Sequence, residues 1–244
     1  MGIKVIQTEL ANIQDLRILF LQETNFQFIL NKCHLYGWAD TYLFLMDDLK
    51  VGYGAIWGQN NRTDRDTVFE FYMIPLYRKF STVFFSQLHA LSHATFIECQ
   101  SNDLLLSSLL YEHSQHIDAE AILFEDCFQT SFTIPDTILI KSIQQNDDYP
   151  YLLKQHSEVV ASGGLMLNYN MPYADLYYEV KEPYRQRGLG SLIVQELKKE
   201  AYLMGRVPAA RCNIKNSISK ATLLKAGFKI CGYRLKGVIN QQAL

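Results

Sequence analysis

Apolar positions along this chain follow two periods, and the chain switches between them in the same order twice. In the first half, β-branched and aromatic residues alternate or cluster at 3–10 ("IKVIQTEL"), 41–47, 50–58, 67–74 ("TVFEFYMI"), 94–99 and 121–128, which predicts strands. Spacing near 3.6 predicts helices over 13–30, 82–92 and 103–113. The second half gives strands at 137–143, 149–155, 159–167, 174–180, 209–214 and 228–239, with helices from Ser191 and over 217–225. In the helix that opens at Ser191, Ile193, Leu197, Ala201 and Met204 share a face, and Lys198 and Lys199 are expected to face away.

The letters repeat as well as the pattern. "FEFYMIPLYRKFSTVFFSQL" resembles "LYYEVKEPYRQRGLGSLIVQEL", and "CQSND…LLYE" resembles "CNIKN…LLKA". Self-similarity at this range reads as a tandem duplication, with the boundary in "FQTSFTIPD" and domains at 1–131 and 132–244. Each would be an α/β fold of the α+β kind, a mixed and largely antiparallel twisted sheet flanked by helices. The second copy has Gly188 and Gly190 where the first has Ser81 and Val83.

Charge separates the halves further. Residues 1–130 carry 8 Lys and Arg against 16 Asp and Glu, so the net charge of −2 conceals −8 there and +6 in the rest. An anion therefore belongs with the C-terminal half. The basic residues form no dense run, which argues against nucleic acid. No apolar stretch approaches the ~20 residues of a membrane span. Five scattered cysteines without paired spacing point to reduced, buried thiols in a cytoplasmic protein. His89 with His93, and His113 with His116, have helical spacing but no third ligand in register, so they read as helix-surface residues and no metal is expected.

A strand that ends in a glycine-bearing turn and opens directly into a helix can hold an anion. The first N–H groups of a helix lack internal partners, and the helix dipole adds roughly half a positive charge there. Glycines let a phosphate come close to those groups, and Arg185 and Arg187 add charge. A dinucleotide fold fits poorly, because the third glycine and the acidic residue about 20 positions on are missing.

The pattern Arg185-x-x-Gly188-x-Gly190, followed by "NIKNSISKATLLKAGF" with Asn216, Ser219, Lys225, Gly227 and Phe228, resembles the GNAT superfamily of acyl-CoA-dependent N-acetyltransferases. The resemblance is sharp over 175–233 and architectural over the first half. It implies that Arg185, Gln186, Arg187, Gly188, Leu189, Gly190 and Ser191 hold the coenzyme A pyrophosphate, largely on backbone N–H groups. It further implies that the backbone from Tyr178 to Val180 pairs with the pantetheine arm, and that Asn216, Ser219 and Lys225 complete the coenzyme site. Asn216 reads equally well as a helix N-cap. The co-substrate implied is acetyl-CoA, the acceptor an amine on a small molecule or peptide, and the protein a monomer or homodimer.

Acyl transfer to an amine needs a base for the ammonium proton, a polarised carbonyl and a proton for the leaving thiolate. Asp175, Tyr177 and Glu179 share one face of their strand. Glu179 is nearest the turn and is the first candidate base, with Asp175 the second. Glu179 could equally be a solvated edge carboxylate or a partner of Arg211 or Arg234. The family's tyrosine acid is missing from "TLLKAGF", leaving Tyr178, Tyr233 or water. Only "QQNDDYP" separates the first two strands of the second copy, where the family inserts helices over the acceptor. The first copy, which keeps a helical insert, would then wall the acceptor cleft. Two other functions stay open: a non-catalytic acyl-CoA-binding regulator, which the missing tyrosine permits, and an interaction scaffold that binds no coenzyme.

Overall fold

The computed structural model describes residues 2–23, 30–58, 60–142 and 150–240. Its strands and helices are β1 (Ile3–Thr8), α1 (Gln14–Glu23), α2 (Leu30–Leu35), β2 (Ala39–Met46), β3 (Leu49–Trp57), β4 (Thr67–Met73), α3 (Ser81–Ser92), β5 (Phe96–Gln100), α4 (Leu104–His113) and β6 (Ser114–Asp126). There follow β7 (Thr137–Lys141), β8 (Tyr151–Gln155), β9 (Glu158–Met166), β10 (Tyr173–Val180), α5 (Leu189–Leu203), β11 (Val207–Asn213), α6 (Ser217–Lys225) and β12 (Phe228–Ile239). The expected helix over 13–30 becomes a 3-10 turn, α1 and α2, with 24–29 outside the described residues. The connection "QQNDDYP" lies almost wholly outside them too.

The chain forms two units, Met1–Glu120 with Tyr233–Leu244, and Ala121–Gly232. In the first, β1, β2, β3 and β4 pair antiparallel in chain order and β5 joins β4 in parallel. In the second, β7 to β10 pair antiparallel and β11 joins β10 in parallel. The expected boundary at 131/132 is corrected here. Residues 234–238 of β12 pair with β5, and residues 121–125 of β6 pair with β11. Each unit is thus completed by a strand segment from the other half of the sequence. A linear reading of the repeat leaves each strand in its own half, because pairing partners are non-local.

The duplication shows in matching bonds. Asp103 caps α4, its carboxylate accepting from Leu106 N at 3.0 Å, and Asn216 caps α6, its Oδ1 accepting from Ser219 N at 2.9 Å. Both are N-cap Asx residues that satisfy the N3 donor.

The first unit's core gathers Phe44, Phe71, Phe84, Phe85 and Leu88. Beside it lies a polar cluster on β4. Glu70 is fully buried and accepts from Arg17 Nη2 at 3.0 Å and from Tyr53 Oη at 2.9 Å, with His34 Nε2 at 3.1 Å. Burial alone would raise its carboxyl, but Arg17 and His34 outweigh it and hold the carboxyl at about 2.

His113 is no surface residue. It is buried and stacked on Phe85 with ring centroids 4.9 Å apart, because that face of α4 turns to the core. His116 lies in β6 rather than on a helix. Cys33, Cys99 and Cys212 are buried thiols, whereas Cys127 is exposed.

In the second unit α5 lies on β9 and β10, and a Cβ on Gly163 of β9 would meet Leu197 of α5 at 2.9 Å. Lys198 is corrected: only 2% of it is exposed. Its ammonium pairs with Asp126 at 2.6 Å and donates to the carbonyls of Phe128, Ala226 and Gly227 at 2.8, 3.0 and 3.3 Å. Gln195, one turn earlier, brackets the backbone of Phe132 with bonds of 3.1 and 3.0 Å. Helical spacing assigns such polar residues to solvent, but here they anchor the coil of 127–132 along the helix.

Candidate active site

β10 and β11 pair at only three positions, Tyr173↔Val207, Ala174↔Pro208 and Asp175↔Ala209. Beyond Asp175 the strands part, and β10 runs on alone on that side to Val180. The turn that follows bends through two left-handed residues, Gln186 at φ 62° and Gly188 at φ 79°. Gly188 is the N-cap of α5 and supplies no side-chain cap, so the first N–H groups of α5 have no internal partner. Gly190 serves another need. A Cβ there would sit 3.1 Å from Thr222 Cγ2 on α6 and 3.7 Å from Tyr178, so glycine lets α5 approach α6 without displacing Thr222.

These elements enclose a cleft of about 450 Å³ lined by Tyr178, Glu179, Val180, Arg185, Gln186, Gly188, Gly190, Ser191, Asn216 and Ser219, all named by the sequence, and by Tyr184, Ile218 and Thr222, which it missed. Thr222 had a signal, since it stands three residues after Ser219 on the same helix face. Arg185 Nε donates to Val180 O at 3.1 Å. Asn216 caps α6 with its carbonyl, which leaves its amide nitrogen without a protein partner among the described residues. Tyr178 Oη lies 3.3 Å from Ser219 Oγ, and burial raises its phenol above the usual range against the opposing hydroxyls of Ser219 and Thr222.

Other expected residues stand back from the cleft. Leu189 is buried, so only its backbone could serve a ligand. Arg187 lies over the Tyr184 ring at 5.5 Å and Lys225 over Phe132 at 5.9 Å. Tyr233 belongs to the first unit and is partly buried against that unit's core, its N–H donating to Ser101 Oγ at 2.9 Å.

The two carboxylates of β10 differ. Glu179 is exposed at the cleft, and its carboxylate has no ion pair or hydrogen bond among the described residues. The partners it might have had are taken: Arg211 lies 3.5 Å from Asp175, and Arg234 pairs with Glu98 at 2.6 Å. Asp175 is buried, which raises its carboxyl to about 6 despite Arg211. Among the described residues no cluster of His, Cys, Asp or Glu could hold a metal ion, and no helix is long and apolar enough to cross a membrane.

The parting strands, uncapped helix start and glycine turn coincide with a match of residues 117–228 to the acetyltransferase (GNAT) family. These residues form a GNAT acetyltransferase domain. Solved structures extend the likeness of fold to the whole chain. A GNAT-family acetyltransferase from Colwellia psychrerythraea superposes with a TM-score of 0.77 at 15% identity, over 98% of this chain and 100% of that one. A tandem GNAT protein from the clavulanic acid biosynthesis pathway, solved without acetyl-CoA, gives 0.63 at 10% identity over 97% and 98%. A GCN5-related N-acetyltransferase from Sphaerobacter thermophilus gives 0.55 at 12% identity over 82% and 81%. No curated protein matches the sequence. The GNAT domain holds the whole cleft, and acetyl-CoA is the co-substrate of this family's acetyltransferases.

Proposed function

We propose that the second unit is an N-acyltransferase that moves an acetyl group from acetyl-CoA to a primary amine by direct attack in a ternary complex. The observation that carries this reading is the 450 Å³ cleft, with open β10 edge on one wall and the uncapped start of α5 on the other. The N–H groups of Leu189, Gly190 and Ser191 and the guanidinium of Arg185 suit a pyrophosphate. The β10 edge suits an extended pantetheine arm, which would pair with it as an added strand.

Glu179 takes the proton from the attacking ammonium, since it is the free carboxylate at the cleft. Asp175, buried beside Arg211, stands second. The amine nitrogen then bonds to the thioester carbon, helped by the N–H of Val180 on the carbonyl oxygen, and the C–S bond breaks. Tyr178 donates its phenolic proton to the leaving thiolate. This role falls to Tyr178 rather than Tyr233 because Tyr178 lines the cleft and its burial keeps the phenol protonated. The protein acts in the cytoplasm, as a monomer or homodimer.

The test is release of free thiol from acetyl-CoA across a panel of small amines, aminoglycosides and peptides. Release that depends on one amine class supports the reading. Coenzyme binding without turnover on any amine would favour a regulatory acyl-CoA-binding protein.

A further inference from the structure

The first unit holds a counterpart of the coenzyme cleft. Arg78 Nε donates to Met73 O at 3.1 Å, as Arg185 Nε does to Val180 O, and in each case the carbonyl belongs to the last strand residue five positions earlier. A groove of about 240 Å³ lies there, lined by Phe71, Tyr72, Arg78, Asp103 and Leu105 among others. Counting from the matching arginines and matching caps, these correspond to Tyr178, Glu179, Arg185, Asn216 and Ile218 of the second unit's cleft.

What differs is charge. Glu23, at the end of α1, lines the first groove and forms an ion pair with the outer nitrogen of Arg78. Glu112 stands where the second unit has Lys225, and it accepts from Thr82 Oγ1 at 3.4 Å in the first turn of α3. The turn itself has no left-handed residue between Pro75 and Val83. A carboxylate therefore lies on the arginine and another beside the helix start, the two places where the second unit would hold a phosphate.

We propose that the first unit is a self-capped anion site, in which Glu23 occupies Arg78 as an internal substitute for a ligand phosphate and Glu112 guards the start of α3. The proposal rests on the coenzyme reading of the second cleft, from which the correspondence is drawn. It accounts for the difference between the two clefts by charge occupancy as well as by loss of glycine. It also predicts that the first groove regains phosphate binding once its own carboxylates are removed.

The experiment is calorimetric titration of inorganic pyrophosphate into protein already saturated with coenzyme A. Saturation is itself recorded, so failure of the coenzyme reading appears as missing heat in that first step. Coenzyme-loaded wild type should give no pyrophosphate heat. The variant Glu23→Ala/Glu112→Gln should take up one pyrophosphate per chain, and adding Arg78→Ala should abolish that uptake. Glu23→Gln/Glu112→Gln, which keeps the side chains' size, decides the matter should the alanine variant fold poorly. Folded variants that stay silent, uptake that survives Arg78→Ala, or uptake by coenzyme-loaded wild type would each overturn the proposal.

Discussion

Tyr178 Oη and Ser219 Oγ stand 3.3 Å apart and join β10 to α6 across the cleft. The contact holds the phenol at the wall where the thiolate would leave. Tyr178→Phe removes the proton while keeping the ring. Turnover should fall by about 10²-fold, at the lower end of what a positioned proton donor contributes, with coenzyme affinity nearly unchanged. Steady-state kinetics beside a binding titration separates the two quantities. A loss confined to affinity would make Tyr178 a wall residue only.

Glu179→Gln should leave coenzyme binding intact, because among the described residues no group depends on this carboxylate. Turnover should drop roughly 10²–10⁴-fold at neutral pH. The deficit should shrink as pH rises toward the amine's own pKa, where free amine no longer needs a base. A deficit constant with pH would assign Glu179 a structural role and turn attention to Asp175.

Asp175 makes a stability prediction with a definite sign. Its folded carboxyl lies at about 6, above the ordinary 3.8, because burial disfavours the charge. The folded state therefore holds the proton more tightly than the unfolded state. This contribution is fully present below pH 3.8 and is lost as pH rises through 6. The stability of Asp175→Asn relative to wild type should thus increase between pH 4 and pH 7. Urea midpoints at both pH values measure it, and a difference that stays flat would show that the group is not shifted.

The two glycines of the turn can be separated. Any substitution of Gly188 strains a left-handed backbone, so it confounds binding with folding. Gly190→Ala meets Thr222 Cγ2, and Thr222→Ser removes that methyl. Gly190→Ala/Thr222→Ser should therefore melt near wild type yet show a smaller stabilisation by acetyl-CoA. An undiminished shift would mean that the phosphate does not approach this N–H.

Residues 1–131 alone lack the segment of β12 that pairs with β5. That fragment should be insoluble or melt well below the intact chain, since it exposes an unpaired strand edge. Far-UV circular dichroism and melting of the fragment test this, and a soluble fragment with native-like melting would contradict the strand exchange.

The turn from Arg185 to Ser191 was legible in the sequence because its chemistry is local. A left-handed position and an uncapped helix start coincide at Gly188, and glycine reports both; the second left-handed position, Gln186, carries no such signal. Asn216 was legible as a cap for the same reason. The exchange of β6 and β12 was not, because the strand partners lie 84 to 142 residues apart and the repeat looks alike under either pairing. Lys198 was misread because periodicity assigns lysine to solvent, whereas carbonyls from Phe128, Ala226 and Gly227 converge on its ammonium. Glu70 sits in a run that reads as a simple strand, and its partners Arg17, His34 and Tyr53 come from three other elements. Tyr233 falls within the stretch of sharp resemblance but folds with the first unit, as only strand pairing could reveal.

We propose one acyl-CoA site per chain, in the second unit. Calorimetric titration of acetyl-CoA into the intact protein measures that stoichiometry. One site per chain is predicted, with thermal stabilisation of about 2.7 kcal/mol at 100 times the Kd, and with the heat greatly reduced in Arg185→Ala but retained in Arg78→Ala. No binding, two equivalent sites, or a dependence on Arg78 instead of Arg185 would contradict it.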